Sequence, residues 1–274
     1  MLYPSKRLRA CLLATATMLA IFPTTGLAQQ DTLARIQQTR KIRIGIDPSV
    51  PPWSYKTEKL EMSGSEYETA QLLARDMGVQ LEMVTTNGAS RIPLLISDKA
   101  DIVVAAMTIT PERQKVIDFS IPYSGTTTMV SAPKELAIKS MADLVGKRIG
   151  VARGTSMDTD LTAMAPKGAD IVRFDDESTT LTAILSGQVD IVAQSTSLNA
   201  AVNKRNPAKQ LEGKVMLRNN LHGIGMRKDD KRLKEWIDQW IRTNIGNGRL
   251  QAIFLKHQGI DLPPAVIQAA EASR

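Results

Sequence analysis

The sequence predicts an α/β protein of two lobes, each a mostly parallel sheet flanked by helices. Three observations carry this expectation. A chain of 274 residues, 43% of them hydrophobic, is long enough for two cores. Its short apolar runs are bounded by helical patterns, as buried strands of parallel sheets are. One α/β unit also occurs twice. Residues 92–105 (IPLLISDKADIVVA) and 181–193 (LTAILSGQVDIVA) each read as a short helix, a tight turn, an Asp and a buried strand, with Asp101 matching Asp190. A further strand precedes each unit, at Ile42–Ile46 and Arg148–Val151.

Taken in order, residues 1–28 read as a secretory signal peptide. Lys6, Arg7 and Arg9 form the positive n-region, Cys11 to Phe22 is uncharged and apolar, and Gly26-Leu27-Ala28 supplies small residues for cleavage. The apolar run is well short of the roughly 20 residues that span a bilayer. Cleavage would remove the one cysteine and lower the net charge from +7 to +4. A cysteine-free mature chain suits an oxidising compartment. The mild charge, without a basic stripe interleaved with aromatics, argues against nucleic-acid binding. Two histidines and no mature cysteine leave little for a metal site, so neither metal nor cofactor is expected.

Lobe 1 is expected over residues 29–125 and 221–274, and lobe 2 over 126–220. Residues 125–131 and 215–224 are extended candidates for the two crossovers between them. Beyond the second crossover, Leu233, Trp236, Ile237, Trp240 and Ile241 recur at helical spacing within residues 230–245, where core packing is their expected role. Gly246 and Gly248 would end that helix, and a shorter one would follow over Leu250–His257.

In open α/β sheets, ligands sit beyond the carboxyl ends of strands. Four segments qualify: Asp47–Trp53, Ala105–Arg113, Ala152–Ser156 and Gln194–Thr196. Two of them have the logic of an anion site. Thr110 is a plausible N-cap with Pro111 at the first helical position, and Thr155-Ser156 opens another helix. Free N–H groups at such ends favour an anion, and Arg113 could add a bidentate fork. Gly154 would permit close backbone approach, and the Thr155 and Ser156 hydroxyls could donate. The bland alternative is ordinary capping with Arg113 in solvent.

The segments Thr108-Ile109-Thr110-Pro111-Glu112-Arg113 and Val116-Ile117-Asp118-Phe119-Ser120-Ile121-Pro122-Tyr123 closely resemble the signature of bacterial extracellular solute-binding proteins, family 3. Further matches are Gly45-Ile46-Asp47, Pro51-Pro52-Trp53, residues 144–151 (LVGKRIGV), Gly154-Thr155 and Asn247-Gly248, so the resemblance spans about residues 40–262. It implies the hinged periplasmic-binding-protein fold, with two hinge strands and the ligand in the cleft. It also implies that Arg113 grips a ligand carboxylate with help from Thr108, Thr155 and Ser156. Ala106 would offer its carbonyl to the ligand's ammonium, and Asp47 would lie near the amino or side-chain end. Some branches with acidic ligands have an Arg where this chain has Arg91.

Three positions depart from the family pattern. Val50 and Gly88 stand where large side chains are common, and Ser195 stands where the ammonium-binding carboxylate is expected. With Arg91 and Arg153 as candidates to add positive charge, the resemblance implies a receptor for an acidic or neutral polar amino acid, or a related small carboxylate. It would be a periplasmic monomer that delivers its ligand to ABC permease subunits. The alternative on the same scaffold is a cyclohexadienyl (prephenate/arogenate) dehydratase. That chemistry needs a placed proton donor, and the four loops offer no convincing Glu or His, with Asp47 and Asp158 the nearest candidates.

Overall fold

A computed structural model describes residues 31–272; the expected signal peptide lies outside them. The chain builds α1 (Thr32–Thr39), β1 (Lys41–Ile46), β2 (Ser49–Val50), β3 (Ser54–Lys56), β4 (Met62–Ser63), α2 (Ser65–Met77), β5 (Gln80–Thr85), α3 (Arg91–Ile96), β6 (Ile102–Val103), α4 (Pro111–Gln114) and β7 (Ile117–Phe119). A long strand, β8 (Ser124–Pro133), leads to β9 (Arg148–Ala152), α5 (Ser156–Met164), β10 (Asp170–Phe174), α6 (Glu177–Ser186), β11 (Ile191–Ser195) and α7 (Thr196–Arg205). The return runs along β12 (Leu211–His222) to β13 (Gly225–Arg227), α8 (Lys231–Gly246), α9 (Arg249–Gln258) and α10 (Pro264–Ala272).

Two five-stranded sheets result, in the orders β5-β1-β6-β13-β7 and β10-β9-β11-β8-β12. In each, the first three strands run parallel, and the strands beyond them join antiparallel. The first lobe is built on the former sheet and the second on the latter. β8 and β12 pair antiparallel from Ser124 opposite His222 to Pro133 opposite Leu211, so both connections between the lobes lie side by side.

Side-chain alternation explains how the second sheet is covered on both faces. Ile149, Val151, Ile191 and Ala193 pack with Val130 and Leu161, whereas Val192 points the other way, into a cluster with Phe174, Leu181, Ile184 and Leu211. In the first lobe, Ile42, Ile44 and Ile46 of β1 meet Leu73 of α2 and Ile237 and Ile241 of α8. The stripe on α8 is thus core, as its spacing implies, with Trp240 buried and its indole N–H donating to Asp76 Oδ2 at 2.8 Å. No helix among the described residues is long and apolar enough to cross a membrane.

The two matching aspartates have separate fates. Asp101 is fully buried and accepts hydrogen bonds from the Arg43 backbone N–H at 2.8 Å and Arg43 Nη2 at 2.6 Å, with Arg35 also bonded to it. Asp190 is exposed and only 3.8 Å from Lys209 Nζ. The repeated unit preserves backbone geometry and not side-chain chemistry.

Candidate functional site

The segments that follow β1, β6, β9, β10 and β11 converge with the paired strands β8 and β12 on one cavity between the lobes. Of the expected site residues, Arg91, Ala106, Thr108, Arg113, Thr155, Ser156 and Ser195 line it.

Arg113 sits on α4, where Thr110 accepts from the Arg113 N–H at 3.3 Å and Pro111 occupies the first turn. Its Nη1 donates to the Thr108 carbonyl at 2.9 Å, and its Nη2 reaches across the cleft to the Gly154 carbonyl at 3.3 Å. Burial, with Arg91 and Arg218 nearby, lowers its pKa to about 10, so it is cationic at neutral pH. A guanidinium carries five N–H donors, so donors remain for a carboxylate. Across the cleft, the Thr108 and Ser156 hydroxyls are 3.0 Å apart at the head of α5. The Thr155 hydroxyl is already used: it accepts from the Asp158 N–H at 3.2 Å and donates to the Ala152 carbonyl at 2.8 Å.

Ala106 is held at φ +46°, a left-handed conformation that costs a residue with a Cβ about 1–2 kcal/mol. What holds it is a buried carboxyl that the sequence reading overlooked. Glu66, at the start of α2, accepts from the Ala106 N–H at 2.7 Å and from the Tyr123 hydroxyl. Burial pushes Glu66 up to about 7 and Tyr123 well above its usual range.

Two expected residues do not line the cavity. Asp47 is only 1% exposed and is claimed by neighbours: its Oδ2 accepts from Arg91 Nη2 at 2.9 Å, and its Oδ1 from the Ser49 N–H and hydroxyl at 3.1 and 2.6 Å. Gly154 is exposed and acts through its backbone, its carbonyl meeting Arg113 and its N–H donating to Asp158 Oδ2 at 3.1 Å. Arg153 is exposed and outside the lining as well. Arg91 does reach the cavity, but as half of an ion pair with Asp47, and its Nε has no partner among the described residues.

The Glu and His of the cleft wall come from outside the four strand-end loops. Glu177, the first residue of α6, and His222, the last of β12, both line the cavity, together with Trp53, Thr126, Thr128 and Asn220. His222 shares a 3.1 Å hydrogen bond through Nδ1 with the Ser124 hydroxyl and meets the Trp53 ring edge-on at 5.0 Å. Burial, reinforced by Arg91 and Arg113, drives His222 down to about 3, so it is neutral. Glu177 is pushed up to about 7, first by burial and then by Asp47, with Arg91 opposing. Among the described residues no group of His, Cys, Asp and Glu could hold a metal.

The lobes touch where the sequence has glycine. A Cβ on Gly88 of the first lobe would lie 2.7 Å from the Arg153 carbonyl oxygen, and one on Gly154 would lie 2.8 Å from Ala89 Cα. The small residue at 88, a departure from the family pattern, is thus a condition of this close approach.

A two-lobed α/β protein with a polar cleft at its strand ends is the architecture of a solute receptor. Residues 42–260 match the bacterial extracellular solute-binding proteins, family 3, and the chain belongs to that family. It is 29% identical over 240 residues to the L-cystine-binding protein TcyJ of Escherichia coli K12, which covers 86% of this chain and 90% of that one. An L-arginine-binding protein of Pseudomonas aeruginosa is also 29% identical, over 81% of this chain and 90% of its own. Among solved structures, the solute receptor for L-cysteine of Neisseria gonorrhoeae is similar with a TM-score of 0.76 and 30% identity, covering 82% of this chain and 92% of that one. The ancestral amino acid-binding protein AncCDT-1, a precursor of cyclohexadienyl dehydratase, is similar with the same TM-score and identity, over 82% and 99%.

Proposed function

We propose that the chain is an extracytoplasmic receptor that closes on a neutral, zwitterionic amino acid and delivers it to the permease of an ABC importer. The observation that carries this reading is the charge of the cavity wall. Arg91 is neutralised by Asp47, and His222 is uncharged. Arg113 and Glu177 are then left as one positive and one potentially negative group, the complement of a carboxylate and an ammonium. This narrows the acidic-or-neutral expectation, because the extra positive charge assigned to Arg91 and Arg153 is cancelled in one case and outside the cleft in the other. The ligands named for TcyJ and the gonococcal receptor are in keeping with it. Export would follow cleavage after Ala28, which the mass of the secreted chain checks. Closure would turn about β8 and β12.

A thermal-shift screen of the amino acids and small carboxylates tests the reading. A ligand at 100 times its Kd adds about 2.7 kcal/mol of stability. Neutral polar amino acids should give the largest shifts, and first rank for lysine, arginine, aspartate or glutamate would refute the charge argument.

One observation favours a second reading, an elimination enzyme on the same scaffold. Glu177 is a buried carboxyl that titrates near neutrality, which is what a general acid requires. Incubation with prephenate and arogenate separates the two, and a receptor leaves both unchanged.

A further inference from the structure

The head of α6 carries a feature that neither capping nor the core explains. The α6 N-cap is Asp176, which accepts from the Thr179 N–H at 2.8 Å and satisfies the helix end without help. A first-turn acid serving only the helix dipole would remain in water. Glu177 is instead 5% exposed, with its side chain at the cavity and its Oε2 lacking any hydrogen-bond partner among the described residues. Arg91, across the cleft, makes its ion pair with Asp47 and none with Glu177. A buried carboxylate left unpaired costs several kcal/mol, so the ionised form of Glu177 calls for a cation from outside the chain. Meanwhile Ser195, at the head of the adjacent helix α7, lines the same cavity with a hydroxyl that meets only Ser197, at 3.2 Å.

We infer that Glu177 is the carboxylate that receives the ligand's ammonium group, the counter-charge having moved from the head of α7, where Ser195 stands, to the head of α6. The inference rests on the amino-acid reading above. It makes Glu177 a specificity-determining residue: it selects amino acids over carboxylic acids of the same shape. Ala106 lines the same cavity and contributes no charge.

The test is calorimetry on the full mature chain with three matched pairs: L-glutamine and glutaramate, L-cysteine and 3-mercaptopropanoate, and L-cystine and 3,3′-dithiodipropanoate. For the amino acid that binds the wild type most tightly, Glu177→Gln should weaken binding at least 30-fold and leave its des-amino partner within about three-fold. Equal loss for both members would make Glu177 structural and overturn the inference, as would no loss for either. If none of the three binds the wild type, the neutral amino acid ranked first by thermal shift and its des-amino analogue take their place; failure of every neutral amino acid to bind would instead sink the amino-acid reading, and this inference with it. A second measurement needs no variant. Carbon-13 NMR of the wild-type Glu177 carboxyl should show a titration midpoint at least a unit lower in the complex with that amino acid than in the complex with its des-amino partner; equal midpoints overturn the assignment.

Discussion

The two walls of the cleft meet their polar obligations differently. On the first lobe, Glu66 accepts two hydrogen bonds, Asp47 accepts three, and Arg113 already donates to the Thr108 carbonyl. On the second lobe, α5, α6 and α7 all start at the cavity, and the acidic group lining it, Glu177, has an oxygen with no partner among the described residues. In its acidic groups the first wall is finished, whereas the second leaves one carboxyl oxygen unpartnered among the described residues. On the proposed reading, that difference predicts an order of events: the ligand carboxylate would settle first on Arg113, and the second lobe would then close over the ligand.

Removing the anchor of the finished wall should have the largest effect. Truncating one partner of a buried charged pair typically costs about 2–5 kcal/mol. Arg113→Ala should therefore weaken the cognate amino acid roughly 30-fold or more at about 1.4 kcal/mol per decade, measured by calorimetry. A change of less than a few-fold would place the carboxylate elsewhere. A smaller effect is expected where the walls touch. Gly88→Ala puts a methyl against the Arg153 backbone and should hinder closure without altering either wall. We expect an affinity loss on the order of ten-fold, since about 1–3 kcal/mol is typical of overpacking. Small-angle scattering should show a weaker ligand-induced drop in the radius of gyration than in the wild type.

The smallest effect concerns pH, and it separates the two buried carboxyls. Glu66 is raised to about 7 inside one lobe, facing Tyr123 and Arg91, so its contribution to folding is full below about 4.5 and lost as pH rises through 7. Glu177 faces Asp47 and Arg91 from the opposite lobe, beside Asp176 on its own helix. Opening the cleft returns it to water. In unliganded protein, the thermal advantage of wild type over Glu66→Gln should therefore grow from pH 8 to pH 5. The wild-type difference from Glu177→Gln should stay nearly flat. His222, depressed to about 3, shifts stability in the opposite sense and cancels in these comparisons. A flat Glu66 comparison would mean that the first wall is less finished than its hydrogen bonds indicate.

Much of this was legible in the sequence because it is local. The repeated unit placed α3–β6 and α6–β11, the stripe of Leu233, Ile237 and Trp240 placed α8, and Thr110-Pro111 marked the start of α4 with Arg113 upon it. What escaped depends on distant partners. Asp47 and Arg91 are 44 positions apart, and nothing local says that each occupies the other. Glu177 closes an Asp175-Asp176-Glu177 run that reads as an ordinary acidic helix start, and only the opposite lobe turns it into a buried group. Thr126, Thr128, Asn220 and His222 lie on the crossover strands, where the alternation that sets which side chains face the cavity has no apolar signature to betray it.

The Asp47–Arg91 pair also bears on how such a receptor changes its diet. It keeps a cation at the wall of the binding site in a silenced form, already desolvated and already placed. Asp and Asn codons differ by a single base, and Asp47→Asn would keep the local hydrogen-bonding shape while unmasking Arg91. If the site takes a zwitterion, as proposed, one heritable step would turn it into one that welcomes an additional carboxylate. A lineage carrying this pair would hold its next specificity in reserve, one substitution away.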